Sequence, residues 1–259
     1  RFNRDCGSLS SRTYARMATL AYVFGCLDQA RQWAEQAYLL SQQVADRPTR
    51  AQALHAWITA HSAPNLTVAE YEQILLLGNE AAQLYEEGKD LLGRGRILNE
   101  LGEVERLQQR YAEAKGYYEE SYQALRAVGY QSGVSISLAN LGWTLVRLGQ
   151  HQEALTTCYT SAQQASELDF SFGVEYALAG AAAALAGLNQ LQPAIRVLSA
   201  ADVINKSIHT VMLPIDEPDY AWIYSELQTK VGPADFDRYW QAGRALTAAE
   251  AISIVNEFC

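Results

Sequence analysis

The sequence has few prolines and no apolar run long enough to cross a membrane. Six prolines among 259 residues leave long stretches in which no residue interrupts a helix. The longest apolar runs, such as the alanine-rich stretch 177–188, are too short for a bilayer-spanning helix, and no signal peptide is recognisable. Stretches rich in valine and isoleucine with the alternating pattern of a β-strand are also missing, which argues against a β-protein.

Cysteine and histidine occur without the spacing that a disulfide framework or a metal site needs. No CxxC pair is present, so we expect reduced thiols that pack as small apolar groups in a cytoplasmic protein. The histidines stand apart, whereas zinc needs three or four convergent ligands. No GxSxG-type nucleophile motif occurs either. We therefore predict no metal, no cofactor and no catalytic residue. The residues concerned are Cys6, Cys26, Cys158, Cys259, His55, His61, His151 and His209.

Positive charge is also scarce. The chain has 20 lysines and arginines against 29 acidic residues, a net charge of −9 at pH 7. No basic stripe can neutralise phosphates, so we predict that this segment makes no direct contact with nucleic acid. Asp216, Glu217 and Asp219 surround Pro218, and we interpret this acidic trio as a solvated turn and helix N-terminus rather than a cation site.

The chain does have a repeated pattern of small and apolar residues. The stretch "ELGEVERLQQRYAEA" (100–114) returns forty residues later as "NLGWTLVRLGQHQEA" (140–154). A further forty residues on, "GAAAALAGLNQLQPA" (180–194) keeps the small residues. The abundance of alanine, leucine, glutamine and glutamate favours helices. A fixed period of this length predicts a solenoid of stacked helical hairpins.

Two of these units resemble the tetratricopeptide repeat, with a period of forty residues instead of thirty-four. Gly102 and Gly142 lack a Cβ, so we expect the partner helix to approach closely there, with Ala114 and Ala154 at the same contact. The matching positions carry a large apolar residue, Leu-Gly, alanine and an aromatic residue. They are Leu98, Leu101, Gly102, Ala114 and Tyr118, then Leu138, Leu141, Gly142 and Ala154, with Cys158 in the aromatic place.

The resemblance implies an all-α, right-handed αα superhelix of about five helical hairpins. We predict a repeat region over 1–208 and a helical capping segment over 209–259, which covers the open end of the stack. Thr67, Asp235 and Thr247 are the expected N-caps of three of the helices. The predicted hairpins cover 8–45, 48–88, 93–128, 132–168 and 173–208.

Residues 194–252 resemble the end of the repeat region in bacterial STAND-type regulatory ATPases, which include the MalT, LuxR-like and AfsR-like regulators, and the likeness in order and spacing covers about residues 90–257. The likeness rests on a Leu-x-Ala-Ala run, a proline loop, an acidic-Tyr helix, Gly-x-x-x-Phe and Gly-Arg-Ala-Leu-Thr. These read Leu198 to Ala201, Pro214, Asp219-Tyr220, Gly232 to Phe236 and Gly243 to Thr247. In that family an ATPase module precedes the repeats and an effector domain lies at one end.

This chain contains neither a phosphate-binding GxxxxGK[ST] motif nor a basic helix-turn-helix. The resemblance therefore implies a sensor or scaffold arm without catalytic residues, and any ATPase activity would belong to another domain. Because the first residue is Arg1 rather than methionine, we expect the chain to be a segment of a longer polypeptide. The other domains of that polypeptide are then expected partners.

The candidate binding surface is the concave face, which the first helix of each hairpin lines. We hypothesise that a protein, a peptide or a small inducer binds there, with aromatic side chains stacking and amides fixing its orientation. Two alternatives stay open. In the first, Trp143 packs in the core and the charged side chains form a solvated face. In the second, the domain is a scaffold that self-associates into a homo-oligomer and binds no ligand. The candidate residues are Arg96, Asn99, Glu103, Arg106, Asn140, Trp143, Arg147 and Tyr176.

Overall fold

The structure, a computed structural model, describes residues 2–208 and 216–259, with side chains from residue 7 onward. These residues contain helices and turns and no β-strand. Ten helices follow one another as five hairpins: α1 (Phe2–Val23) and α2 (Leu27–Ser41), α3 (Arg47–His61) and α4 (Val68–Glu87), α5 (Leu91–Leu107) and α6 (Tyr111–Ala127), α7 (Gln131–Arg147) and α8 (His151–Glu167), α9 (Ser171–Gly187) and α10 (Leu191–Ile208). Three more form the C-terminal segment: α11 (Glu217–Val231), α12 (Pro233–Arg244) and α13 (Ala248–Asn256).

The forty-residue repeat consists of two equal steps of twenty residues. Each of α5 to α9 has 17 residues, and each is followed by a three-residue turn. A residue with positive φ follows α4 and each of α5 to α9, at a constant interval of twenty residues, because the left-handed conformation stops a helix. These residues are Lys89, Gln109, Gly129, Gly149, Asp169 and Asn189.

Two glycines give a matched test of the role of these turns. Gly149 has a φ of 75°, and a Cβ built on it would touch nothing within 4 Å. We expect Gly149→Ala to lower the free energy of unfolding by about 1 kcal/mol through backbone strain alone. Gly116 lies exposed inside α6, and a Cβ there also meets open space. Gly116→Ala should therefore raise it by about 0.5–1 kcal/mol. Urea unfolding of both variants checks this, and changes of equal sign would contradict it.

The close contacts expected at the repeated glycines are confirmed. A Cβ on Gly102 would lie 2.6 Å from the Tyr118 ring, and one on Gly142 would lie 2.2 Å from the Cys158 sulfur. Ala114 and Ala154 are fully buried. The small residues thus let the two helices of a hairpin pack closely, with the side chain at the aromatic position filling the space over the glycine.

Two of the three expected N-caps are confirmed. Thr67 and Thr247 each form a capping box with the glutamate three residues later, which satisfies backbone donors at the start of the helix. The prediction for Asp235 is wrong, because α12 begins two residues earlier, at Pro233. Proline fixes the φ that a helix needs at its first position, and Asp235 consequently lies inside the first turn.

The C-terminal segment packs on the last hairpin and also reaches into the concave face. α12 and α13 lie against α10, and α13 also contacts α8. Leu227 and Phe236 are buried in this interface, and Ser199 on α10 donates a hydrogen bond to the Trp240 carbonyl at 2.7 Å. The start of α11 instead lies against the first helices of the hairpins, where it contacts α9 and pairs with Arg106 on α5.

The expectation that the thiols pack as apolar groups is confirmed for Cys158 alone. Cys158 is buried, whereas Cys26 and Cys259 are exposed at a turn and at the end of the chain. The side chain of Cys6 lies outside the described residues, as do His209 and Pro214. In the described part of the chain, no helix combines the length and the apolar character that a membrane span requires.

Candidate functional site

The floor of the concave face is a row of hydrogen-bonded polar side chains on α5, α7 and α9. The Asn140 amide donates to Asn99 Oδ1 at 3.1 Å and to Glu103 Oε1 at 3.3 Å. The Asn99 amide also donates to Glu103, at 3.0 Å. The Tyr176 hydroxyl donates to Asn140 Oδ1 at 2.9 Å. Four of the candidate residues therefore lie together, and each satisfies polar atoms of another.

Two carboxylates of the C-terminal segment lie on this row. Asp216 accepts a hydrogen bond from Arg106 at 3.0 Å, and it shares the single proton of the Tyr176 hydroxyl, also 3.0 Å away, with Asn140 Oδ1. Asp219 pairs with Arg106 and also accepts two bonds from Arg147, at 2.6 and 3.1 Å. Arg106 and both aspartates are buried. The interpretation of the acidic trio as a solvated turn is therefore wrong for Asp216 and Asp219, whose charges two arginines of the groove balance.

Aromatic side chains complete the closure of this half of the groove. Trp143 is fully buried, donates its indole N–H to the Tyr176 carbonyl at 3.3 Å, and has the Tyr220 ring 5.9 Å away. The Tyr220 hydroxyl donates to Glu175. Trp222 covers the Arg147 guanidinium, 3.9 Å from the ring centroid. We call residues 216–222 the closing segment, because it covers Arg106, Asn140, Trp143, Arg147 and Tyr176.

The alanine-rich helix α9 fits this arrangement. Every residue from Gly173 to Ala186 is buried, since hairpin partners, α11 and α13 cover the helix on different sides. Small side chains allow these neighbours to approach closely.

The other half of the concave face is open. A cavity of about 410 Å³ lies between α1, α3 and α5. A second cavity, of about 170 Å³, shares Arg96 and Glu100 with it and extends to Asn99 and Phe170. The polar residues that line the larger cavity are Arg16, Thr19, Tyr22, Gln52, His55, Thr59, Tyr85, Asp90, Arg96 and Glu100. We call this pair of cavities the open trough.

Burial determines the charge that the open trough presents. Desolvation, with a contribution from the Arg96 charge, lowers the pKa of His55 to about 3, so this ring is neutral at pH 7. Desolvation raises the pKa of Glu100 to about 7, although Arg96 opposes the shift. Arg16 and Arg96 are exposed, and neither forms an ion pair with a described residue. At neutral pH the trough therefore presents two guanidinium groups without an ion-pair partner among the described residues, the partly protonated carboxyl of Glu100, and the carboxyl of Asp90, which accepts a hydrogen bond from the Gly93 N–H at the start of α5.

Of the eight candidate residues, only Arg96 lines the larger cavity. Sequence reasoning missed Arg16, His55 and Glu100, which share that cavity. A signal was available, because Gln52, His55 and Thr59 have the helical spacing of the inner stripe used for α5. The stripe is readable in the third to fifth hairpins because their repeat is regular. In the first two hairpins the repeat is degenerate, which hides it.

Glu175 gives a pH-dependent prediction at the closed half. Burial raises the pKa of this carboxyl to about 7, against the opposing hydrogen bond from Tyr220. Its value in the folded chain is above the unfolded one, so its contribution to stability is present below pH 4.5 and is lost as the pH rises to 7. We expect the free energy of unfolding of Glu175→Gln, relative to that of wild type, to be about 2 kcal/mol higher at pH 8 than at pH 5. Urea unfolding at both values measures this, and an unchanged difference would contradict it.

The described part of the chain brings no three His, Cys, Asp or Glu side chains together as metal ligands.

Among comparisons with known proteins, residues 93–157 match the family model described as tetratricopeptide repeat. These residues cover α5, α6, α7 and the first turns of α8. No curated protein matches the sequence.

Two solved structures have a similar fold. Aspartyl phosphate phosphatase F from Bacillus subtilis superposes with a TM-score of 0.65 at 14% identity, over 93% of this chain and 61% of that one. A STAND protein with a tetratricopeptide repeat sensor from Pyrococcus horikoshii gives a TM-score of 0.61 at 13% identity, over 98% of this chain and 39% of that one. The chain thus spans less than two thirds of either structure. Residues 93–157 thus match the tetratricopeptide-repeat model, and the described residues form an all-helical superhelix whose fold is similar to that of tetratricopeptide-repeat proteins.

Proposed function

We propose that this chain is a non-catalytic recognition arm of a larger bacterial signal-transduction or transcriptional regulator, and that it binds its ligand in the open trough. The ligand is a protein segment, a peptide or a small inducer. The observation that carries the proposal is the pair of unpaired guanidinium groups, Arg16 and Arg96, at a cavity of about 410 Å³. The similarity to a STAND protein with a repeat sensor supports the regulatory context.

The chemistry of the open trough favours a ligand with acidic groups. The chain carries a net charge of −9, yet this cavity combines two arginines without an ion-pair partner among the described residues, a neutral histidine and the hydroxyls of Tyr22 and Tyr85. Of its two carboxyls, Glu100 is partly protonated and Asp90 caps α5. Desolvation raises the pKa of both tyrosines, so these hydroxyls remain donors at neutral pH. Carboxylates would pair with the guanidiniums, and the two cavities, which share Arg96 and Glu100, together offer room for an extended chain.

Binding can act on the attached domains only if the ligand prefers one arrangement of the arm over another. The larger cavity of the open trough lies between the first, second and third hairpins. A ligand that bridges Arg16 on α1 and Arg96 on α5 would hold these hairpins at one spacing. A change in superhelix curvature is the mechanism we propose for transmission to the neighbouring domains.

Fluorescence polarisation with labelled nonapeptide pools of acidic, basic and neutral composition tests the proposal. We expect the acidic pool to bind most tightly, and Arg16→Ala or Arg96→Ala to weaken it about tenfold or more, because each removes a charged hydrogen-bond donor. Arg126 is exposed on α6, outside the trough, and Arg126→Ala is the matched control. Equal binding by all three variants would refute the trough as the site.

The alternative of a self-association scaffold has one observation in its favour. Leu9, Leu20, Val23 and Phe24 on and after α1 are more than half exposed, and a second copy could cover them. Sedimentation velocity over a range of concentrations tests this function. A concentration-dependent dimer, together with no peptide binding in the trough, would favour the scaffold over the recognition arm.

A further inference from the structure

The closing segment occupies its half of the groove as a bound peptide would. Its contacts with Arg106 on α5 join residues that are 110 and 113 positions apart in sequence, and its contact with Arg147 on α7 joins residues 72 positions apart. Two carboxylates three residues apart point from one face of the first turn of α11, which is the spacing that places side chains side by side on a helix. The tetratricopeptide repeats supply the complementary groups.

The receiving groups come from successive repeats, at positions that differ by one residue in the repeat register. Arg106 and Arg147 lie 41 residues apart, near the ends of the first helices α5 and α7. Both guanidiniums contact Asp219, and Arg147 also stacks on Trp222. Planar guanidinium forks that pair with a carboxylate and stack on an aromatic ring are a recurrent recognition device.

Apart from these polar contacts, α11 is anchored by apolar side chains. Ile223 and Leu227 are buried, and the partly buried residues Tyr220, Trp222 and Val231 pack against the core. Tyr224 contacts the rings of Phe236 and Trp240, and most of the other side chains of α11 are exposed. The position of the closing segment therefore depends on the arginines of the groove as well as on this apolar anchor.

We propose that the closed half of the groove is a second recognition site, for a partner segment of the pattern Asp-x-x-Asp-Tyr-x-Trp, and that the closing segment is its internal competitor. This inference rests on the proposed recognition function and adds a means of regulating it. A tethered competitor acts at an effective concentration on the order of millimolar. A partner segment therefore binds the closed half only when α11 is loosened or when the partner is locally concentrated.

The test uses a labelled peptide of residues 216–228 added in trans to the full 259-residue chain. Ile223→Ala weakens the anchor of α11 and leaves every groove residue in place. We expect this variant to bind the peptide about 30-fold or more tightly than wild type, in proportion to the lost burial. A second variant, Asp216→Asn with Asp219→Asn, removes the two carboxylates of the closing segment. It should also bind the peptide more tightly, because the closing segment then no longer forms ion pairs with the groove arginines. A peptide with both aspartates replaced by asparagine is the control.

Each result decides the matter. Tighter binding to either variant, lost when Arg147→Ala is added, supports an internal competitor. Folded variants that bind no more peptide than wild type would overturn it and leave the closing segment a fixed structural cap. If neither variant folds, hydrogen exchange on wild type with millimolar peptide replaces the binding assay, and undiminished protection of α11 overturns the proposal. None of these readouts involves Arg16 or Arg96, so failure here is distinguishable from failure of the open trough.

Discussion

Arg106→Ala is expected to destabilise the chain by about 3–5 kcal/mol, because it removes one partner of a buried ion-pair network. Arg106 is buried and contacts both Asp216 and Asp219. Without it, the remaining side-chain partners among the described residues are the Tyr176 hydroxyl for Asp216 and Arg147 for Asp219. The two carboxylates would then lie desolvated with one cation between them. Urea unfolding at pH 7 measures the loss.

Arg47 provides the comparison for this variant. It pairs with Glu87 at 2.6 Å, but its side chain is 73% exposed, and solvent-exposed pairs contribute about 1 kcal/mol or less. We expect Arg47→Ala to change the free energy of unfolding by no more than that. Similar losses for the two variants would mean that the closing segment is not held by buried charges.

Trp143→Ala is expected to cost about 3–5 kcal/mol, the range for removing a large buried aromatic side chain. Trp143 is fully buried and packs beside Gly180, where a Cβ would lie 3.2 Å from the indole nitrogen. It joins the α7–α9 interface to the closing segment through Tyr220. The residue that sequence reasoning offered as a groove aromatic is therefore expected to act mainly on stability. Thermal and urea unfolding both measure this.

Leu148 serves as the control for Trp143. It lies at the C-terminal end of α7 and is 37% exposed, so Leu148→Ala should cost about 1 kcal/mol or less. If Trp143→Ala unfolds like Leu148→Ala and instead abolishes peptide binding, the description of Trp143 as a core residue is wrong.

The repeat architecture was predictable because its determinants are local and periodic. Gly102 with Ala114 and Gly142 with Ala154 recur in step, and the structure places each pair at a close contact between helices. The constraint acts on backbone approach, which requires small residues at fixed positions. The capping boxes at Thr67 and Thr247 were readable for a similar reason, since each lies within four consecutive residues.

The closing segment could not be read in the same way. The contacts of Asp216 and Asp219 with Arg106 and Arg147 join positions more than 70 residues apart, and no periodicity relates them. An acidic residue at a helix N-terminus already has a sufficient local explanation, namely the helix dipole. For this reason the sequence predicts solvent-exposed carboxylates at the start of α11, and it predicts that the groove arginines are available to a ligand.

The division of the groove into an open trough and a closed half is the central claim, and a double-mutant cycle between Arg147 and Asp219 tests it most directly. The variants are Arg147→Ala, Asp219→Asn and their combination, each measured by urea unfolding at pH 7. Residues in one buried ion-pair network couple by about 0.5–3 kcal/mol, and we predict a coupling of about 1 kcal/mol or more in favour of the pair. A coupling indistinguishable from zero would mean that the start of α11 does not lie on the concave face, and the groove would then be open along its whole length.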